Sequence, residues 1–170
     1  ADDVDLIQPP KETQDMMQMT PVGDVNLHVR IDGPEDGAPV VFINSLGTDM
    51  RLWDPILPLL PQGLRILRAD KRGHGLSDCP DGPYKMGTLV SDMETLMEVH
   101  GIKDALVVGL SIGGLIAQGL AVKRLDLVRA LVLSNTGARI GHADLWADRI
   151  AQVQASGTEA LANGTMARWF

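Results

Sequence analysis

Gly109-Leu110-Ser111-Ile112-Gly113 follows directly on the apolar run Ala105-Leu106-Val107-Val108 and leads into Gly114-Leu115-Ile116-Ala117-Gln118-Gly119-Leu120-Ala121. A serine with glycines two before and two after it, set between a strand and a helix, is the pattern of a nucleophile elbow. So abrupt a strand-to-helix turn forces its corner residue into a strained conformation. The glycines relieve the crowding and leave the hydroxyl exposed above the sheet. The positive end of the following helix favours negative charge developing beside the serine. Five residues alone match readily by chance in a chain with 18 glycines. The strand before and the helix after are the context that makes Ser111 a candidate nucleophile.

Outward from this corner, the pattern is that of an α/β protein. Residues 25–31 alternate strictly, which predicts a half-buried strand with His28 on its polar face. An earlier strand over 17–20 pairs with it through the Pro21-Val22-Gly23-Asp24 turn. Four apolar strands follow, over 40–43, 64–69, 105–108 and 130–133, separated by glycine-rich loops and helical stretches. The spacing predicts a mostly parallel sheet with an antiparallel N-terminal entrance. Thr88 is placed to cap a helix whose Leu89, Met93, Leu96 and Met97 share one side with His100. At the end of that helix, beside Gly101, a His100 cation suits the helix dipole. Beyond Ser134 a helix is predicted over 143–154, with Trp146, Ile150 and Val153 on its apolar face, and a second from 158 toward 170. The polar, acidic residues 1–15, with Pro9-Pro10, read as an extended or disordered arm without chemistry.

With 170 residues the chain can bury one core without disulfide or metal staples. Its 45% apolar and 22% charged residues are ordinary for a globular protein, and a net charge of −7 argues against nucleic acid or an anionic membrane surface as partner. An anionic substrate needs a local cation here. The single cysteine, Cys79, excludes an intrachain disulfide and fits a reducing compartment, so the cytoplasm is expected. No apolar run approaches a membrane span, and the N-terminus lacks the order of a signal peptide, although a chain beginning at Ala1 leaves processing open. Four dispersed histidines and one cysteine imply neither a metal nor an organic cofactor.

Two further stretches surround the elbow. Asn44-Ser45-Leu46-Gly47-Thr48 follows the first buried parallel strand. There the backbone amides of Leu46 and Ile112 would face a carbonyl oxygen as it becomes negative, each donor worth about 3 kcal/mol. Asp70-Lys71-Arg72-Gly73-His74-Gly75-Leu76-Ser77 ends the next strand. Together with the elbow, these stretches closely resemble the α/β-hydrolase family, whose members carry a D-x-R-G-x-G-x-S loop at that place. The resemblance implies an α/β-hydrolase fold and a structural role for this loop. Arg72 and the glycines shape it, and His74 is not the base.

Asn44-Ser45-Leu46-Gly47-Thr48-Asp49-Met50-Arg51-Leu52-Trp53-Asp54, the elbow, and Leu133-Ser134-Asn135-Thr136-Gly137-Ala138-Arg139-Ile140-Gly141 look like the 3-oxoadipate enol-lactonases, over about residues 25–170. These enzymes open an enol-lactone to 3-oxoadipate in bacterial degradation of aromatic compounds. The resemblance implies that Ser111 attacks the lactone carbonyl and that water releases the product from an acyl-enzyme. The substrate carries a free carboxylate. Arg139, just past the last strand, is the candidate to hold it. Arg51 and Trp53 are weaker candidates, and Trp146 is placed to line the pocket.

In this family the triad runs in chain order from serine to acid to histidine. After Ser111 the only histidine is His142, and the acids Asp144, Asp148 and Glu159 all fall in helical sequence. The expected organisation is therefore the arm over 1–15, the N-terminal part of the core over 16–138 through its sixth strand, and the beginning of a helical cap over 139–170. A companion C-terminal segment is expected to supply acid and histidine, which leaves this chain inactive alone. Without it the sixth strand is an unpaired apolar edge. The alternatives are another hydrolase of the same shape, acting on an ester or a carbon–carbon bond beside a ketone, and an inactive fragment or binding scaffold.

Overall fold

The structure, a computed structural model, describes residues 16–162, 164 and 165. The arm expected over 1–15 and the end of the helix expected toward 170 lie outside the described residues. Six strands, β1 (Met16–Val22), β2 (Val25–Asp32), β3 (Ala38–Ile43), β4 (Leu64–Ala69), β5 (Ala105–Leu110) and β6 (Val128–Ser134), form one sheet in the order β1-β2-β4-β3-β5-β6. The pairs β1/β2 and β2/β4 are antiparallel, while β4/β3, β3/β5 and β5/β6 are parallel. This is the mostly parallel sheet with an antiparallel entrance that the alternation and the apolar runs predict. The chain divides into two compact units, the first ending at Ala138 and the second beginning at Arg139.

Period-two alternation sorts the side chains of the first unit onto two faces. Val41, Ile43, Leu67, Ala69, Ala105 and Val107 point to one face. There they pack with Leu89, Met93, Leu96 and Met97 of α1 (Met86–Val99) and with Ile116, Ala117 and Leu120 of α2 (Ile112–Lys123). Val40, Phe42 and Ile66 point to the other face, against Trp53 of a short 3-10 turn (Met50–Trp53), with Leu106 and Val108 half-buried beside them. Helices α1 and α2 also touch each other, tied by an ion-pair cluster in which Lys123 and Arg124 both reach Glu94. In the second unit, α3 (Ala143–Ser156) carries no buried residue. Of its expected apolar face, Trp146 and Val153 are half-buried and Ile150 is exposed.

Three local expectations are corrected. Helix α1 begins at Met86, ahead of Thr88, after an extended Lys85 that makes no side-chain cap. The absence of an oxygen-bearing cap there is tolerated because the helix is held by its buried face. His28 is buried on β2, because the segment after β4 covers that side of the strand and Asp70 accepts from its Nδ1 at 2.9 Å. His100 does close α1, but burial and then the nearby Arg65 lower its pKa, so it is neutral at pH 7 and pairs with the Thr20 hydroxyl at 3.1 Å.

The pH dependence of stability follows from that pairing. A histidine with a folded pKa below its ordinary 6.5 is protonated first in the unfolded chain, so the stability it contributes is present above pH 6.5 and is lost as pH falls. Urea denaturation at about pH 7.5 and about pH 5.5 is expected to show lower stability at the acid value, with a smaller difference in His100→Gln.

Candidate active site

Ser111 sits between the last residue of β5 and the first of α2 with φ 55° and ψ −118°, a region that costs a non-glycine residue about 1–3 kcal/mol. The structure around it makes this conformation the one that fits. The Ser111 N–H donates to the Ser134 carbonyl at 3.0 Å, and its carbonyl accepts from Gly114 N–H at 2.9 Å and from Thr136 Oγ1 at 2.7 Å. Its hydroxyl is half-buried and makes no hydrogen bond to a described residue.

The glycines permit close backbone approach. A Cβ on Gly109 would lie 2.4 Å from the Gly113 carbonyl oxygen, and one on Gly113 would lie 2.1 Å from that of Ile43 and 2.9 Å from that of Asn44. The N-terminus of α2 therefore abuts the end of β3, where the Asn44-Ser45-Leu46-Gly47-Thr48 loop begins. Ile112 is the first residue of α2, and its N–H has no acceptor among the described residues. The same holds for the N–H of Leu46. A reacting carbonyl oxygen needs two such uncommitted donors beside a free hydroxyl.

The loop bearing Leu46 is held from below by side chains. Asn44 is fully buried, donating from Nδ2 to the Ala69 carbonyl at 2.9 Å and accepting from Trp53 Nε1 at 2.7 Å. Lys71 Nζ donates to the carbonyls of Asn44, at 3.1 Å, and Ser45, at 2.9 Å. Gly47 N–H donates to His74 Nε2 at 3.1 Å, which fixes the proton on Nδ1, where it is donated to the Arg72 carbonyl at 3.0 Å. Burial, with Lys71 adding to it, lowers the His74 pKa, so this neutral tautomer persists at pH 7. Asp70 takes the His28 ring and the N–H groups of Met50, at 2.7 Å, and Leu76, at 3.0 Å. Arg72 forks onto Asp92 at 2.6 and 2.7 Å, which ties the segment to α1.

The other residues singled out from the sequence fall in different places. The Trp53 ring is buried against Phe42, with centroids 4.8 Å apart, and its N–H is committed to Asn44. Arg51 is exposed and forks onto Asp49. In the second unit, Arg139 is exposed with no ion-pair partner among the described residues. Trp146 donates from Nε1 to the Ile140 carbonyl at 2.9 Å, and the His142 ring accepts from Leu145 N–H at 3.4 Å, capping α3. The roles of Lys71 and Trp53 in holding the loop carry no sequence signal, since each depends on a partner that only the fold brings near.

Residues 38–165 match the alpha/beta hydrolase fold family, and the chain belongs to it. It is 33% identical over 147 residues to 3-oxoadipate enol-lactonase 2 of Acinetobacter baylyi, covering 86% of this chain and 55% of that protein. To 3-oxoadipate enol-lactonase 1 of the same organism it is 35% identical over 144 residues, with 85% and 54% covered. The crystal structure of the enol-lactonase from Burkholderia xenovorans LB400 is similar with a TM-score of 0.86 and 39% identity, over 90% of this chain and 60% of that one. The chain thus spans about half the length of the curated relatives it matches.

Gly113→Ala is expected to destabilise the fold by about 3 kcal/mol, because the new methyl meets backbone atoms that cannot move aside. Gly87→Ala, an α1 position with open space around it, is expected to gain about 0.5 kcal/mol in the same chemical denaturation series.

Proposed function

We propose that this chain carries the nucleophile and oxyanion site of a serine hydrolase that opens 3-oxoadipate enol-lactone. The observation that carries the reading is the strained Ser111, with a hydroxyl and the amides of Leu46 and Ile112 uncommitted among the described residues, at a corner where Gly113 abuts the Ile43 and Asn44 carbonyls. The enol-lactonase relatives favour a lactone over other acyl substrates.

In this reading the Ser111 oxygen attacks the lactone carbonyl, and its proton passes to a base. The carbonyl oxygen gains charge against Leu46 and Ile112. Collapse breaks the ring C–O bond, the enol released becomes the ketone, and water then frees the carboxylate from Ser111.

The base has to come from elsewhere. His28 is bound to Asp70, His74 to Gly47 and Arg72, His100 to Thr20, and His142 caps α3. With each ring committed to a structural partner, we infer that the acid and histidine of the triad lie on a segment outside these 170 residues. The outer strand β6 offers it a place: Val132 and Leu133 are 45% and 44% exposed along a strand that pairs only with β5 among the described residues.

Two measurements test this. Denaturing mass spectrometry of the functional protein is expected to find either these residues within a longer chain or a second polypeptide beside the 18.3 kDa species; a lone 18.3 kDa species with full lactonase activity would overturn the inference. In the complete protein, Ser111→Ala is expected to lower kcat for enol-lactone hydrolysis by about a millionfold, and an unchanged rate would remove the serine mechanism.

A further inference from the structure

Lys71 is a buried cation that none of the chemistry above uses. Only 4% of the residue is exposed, and among the described residues no carboxylate lies within ion-pair distance of its ammonium. The neighbouring Asp70 is turned to His28, Met50 and Leu76. A buried ammonium without a paired carboxylate is costly. The groups that receive it are the Asn44 and Ser45 carbonyls, at 3.1 and 2.9 Å, on the loop that bears Leu46.

Peptide geometry gives this contact a direction. In a trans peptide the C=O and N–H point to opposite sides of one rigid plane. The Ser45 carbonyl and the Leu46 N–H share such a plane. Holding the carbonyl on Lys71 therefore aims the Leu46 N–H the opposite way. Thr48 Oγ1 also donates to the Ser45 carbonyl, at 3.0 Å, and His74 fixes the next plane through Gly47 N–H. A charged donor on the carbonyl also polarises the amide and strengthens its N–H as a donor.

We propose that Lys71 is a positioning residue, which aims and polarises the Leu46 amide toward the oxyanion of the reaction. The proposal rests on the reading of Leu46 as an oxyanion donor. Two charged or titratable groups face the ammonium: Asp70, which favours its charge, and His74, which is neutral at pH 7. Burial outweighs Asp70 and lowers the Lys71 pKa to about 8, so its charge titrates in a range open to measurement.

The test is nuclear magnetic resonance of the complete protein, isotopically labelled, following the Lys71 side chain and the Leu46 and Gly47 amides as pH is raised. Lys71 is expected to titrate near pH 8, and the Leu46 amide proton to move upfield with the same midpoint. In Lys71→Met that shift of Leu46 disappears; in Lys71→Arg the charge persists and Leu46 stays at its low-pH position throughout. A Leu46 amide that ignores the Lys71 titration, or that titrates identically in Lys71→Met, overturns the proposal. Should Lys71→Met not fold, the wild-type titration decides alone. The readout lies in the loop's own amides, so a failure of the serine mechanism appears only in the Ser111→Ala assay.

Discussion

Where a side chain on Gly113 would begin, the Ile43 carbonyl oxygen already lies, 2.1 Å from the position a Cβ would take. This contact between the first turn of α2 and the end of β3 brings the corner at Ser111 against the loop that follows β3. It requires glycine at 113, and at 109 for the same crowding seen from β5. Everything proposed of the site depends on it: without so close an approach, the N–H of Ile112 and the N–H of Leu46 belong to separate parts of the surface. The strain at Ser111 is then the local cost of a packing that the two glycines make possible.

The contact has to be held from both sides. On the β6 side the Ser134 carbonyl and the Thr136 hydroxyl grip the backbone of Ser111. On the β4 side the support is a buried polar network running from Asp70 to His74, each member ending on a backbone group of the adjoining loop or on a partner across the sheet. Among the described residues no buried side-chain nitrogen or oxygen lacks a partner. Such a network specifies one loop conformation, because any slip leaves a desolvated group unpaired. It is not cheap: moving the Lys71 pKa from 10.5 to about 8 corresponds to about 3 kcal/mol against the charged form.

The legible parts of this protein are those that depend on local pattern. Strands β3 to β6 announce themselves as short apolar runs, β2 as strict alternation, and the elbow as glycines at fixed distances from a serine. Side chains whose role is set by a distant partner are illegible. His28 reads as surface because its strand alternates, yet Asp70, forty-two residues on, draws it inside. Trp53 reads as a weaker candidate for the substrate carboxylate because it follows a functional loop, and its hydrogen bond to Asn44 beneath that loop has no local signature. Thr88 reads as a cap from residue type alone, although the buried face of α1 decides where the helix begins.

The same distinction separates two kinds of histidine. A ring that must accept and return a proton needs one nitrogen free toward the reacting hydroxyl, with the other oriented by an acid. His74 is nearest to this in sequence character, standing in a loop of charged residues, but both its nitrogens are engaged and burial keeps it neutral. A proton accepted there would displace Gly47 N–H and loosen the loop that His74 supports. In the proposed reaction the protein therefore divides its labour across the sheet. On the β4 side the His74 ring helps to hold the loop of Leu46 still by staying uncharged, and the ring that changes charge must approach Ser111 from beyond the network. A base built into that network would disturb the loop amides at each turnover.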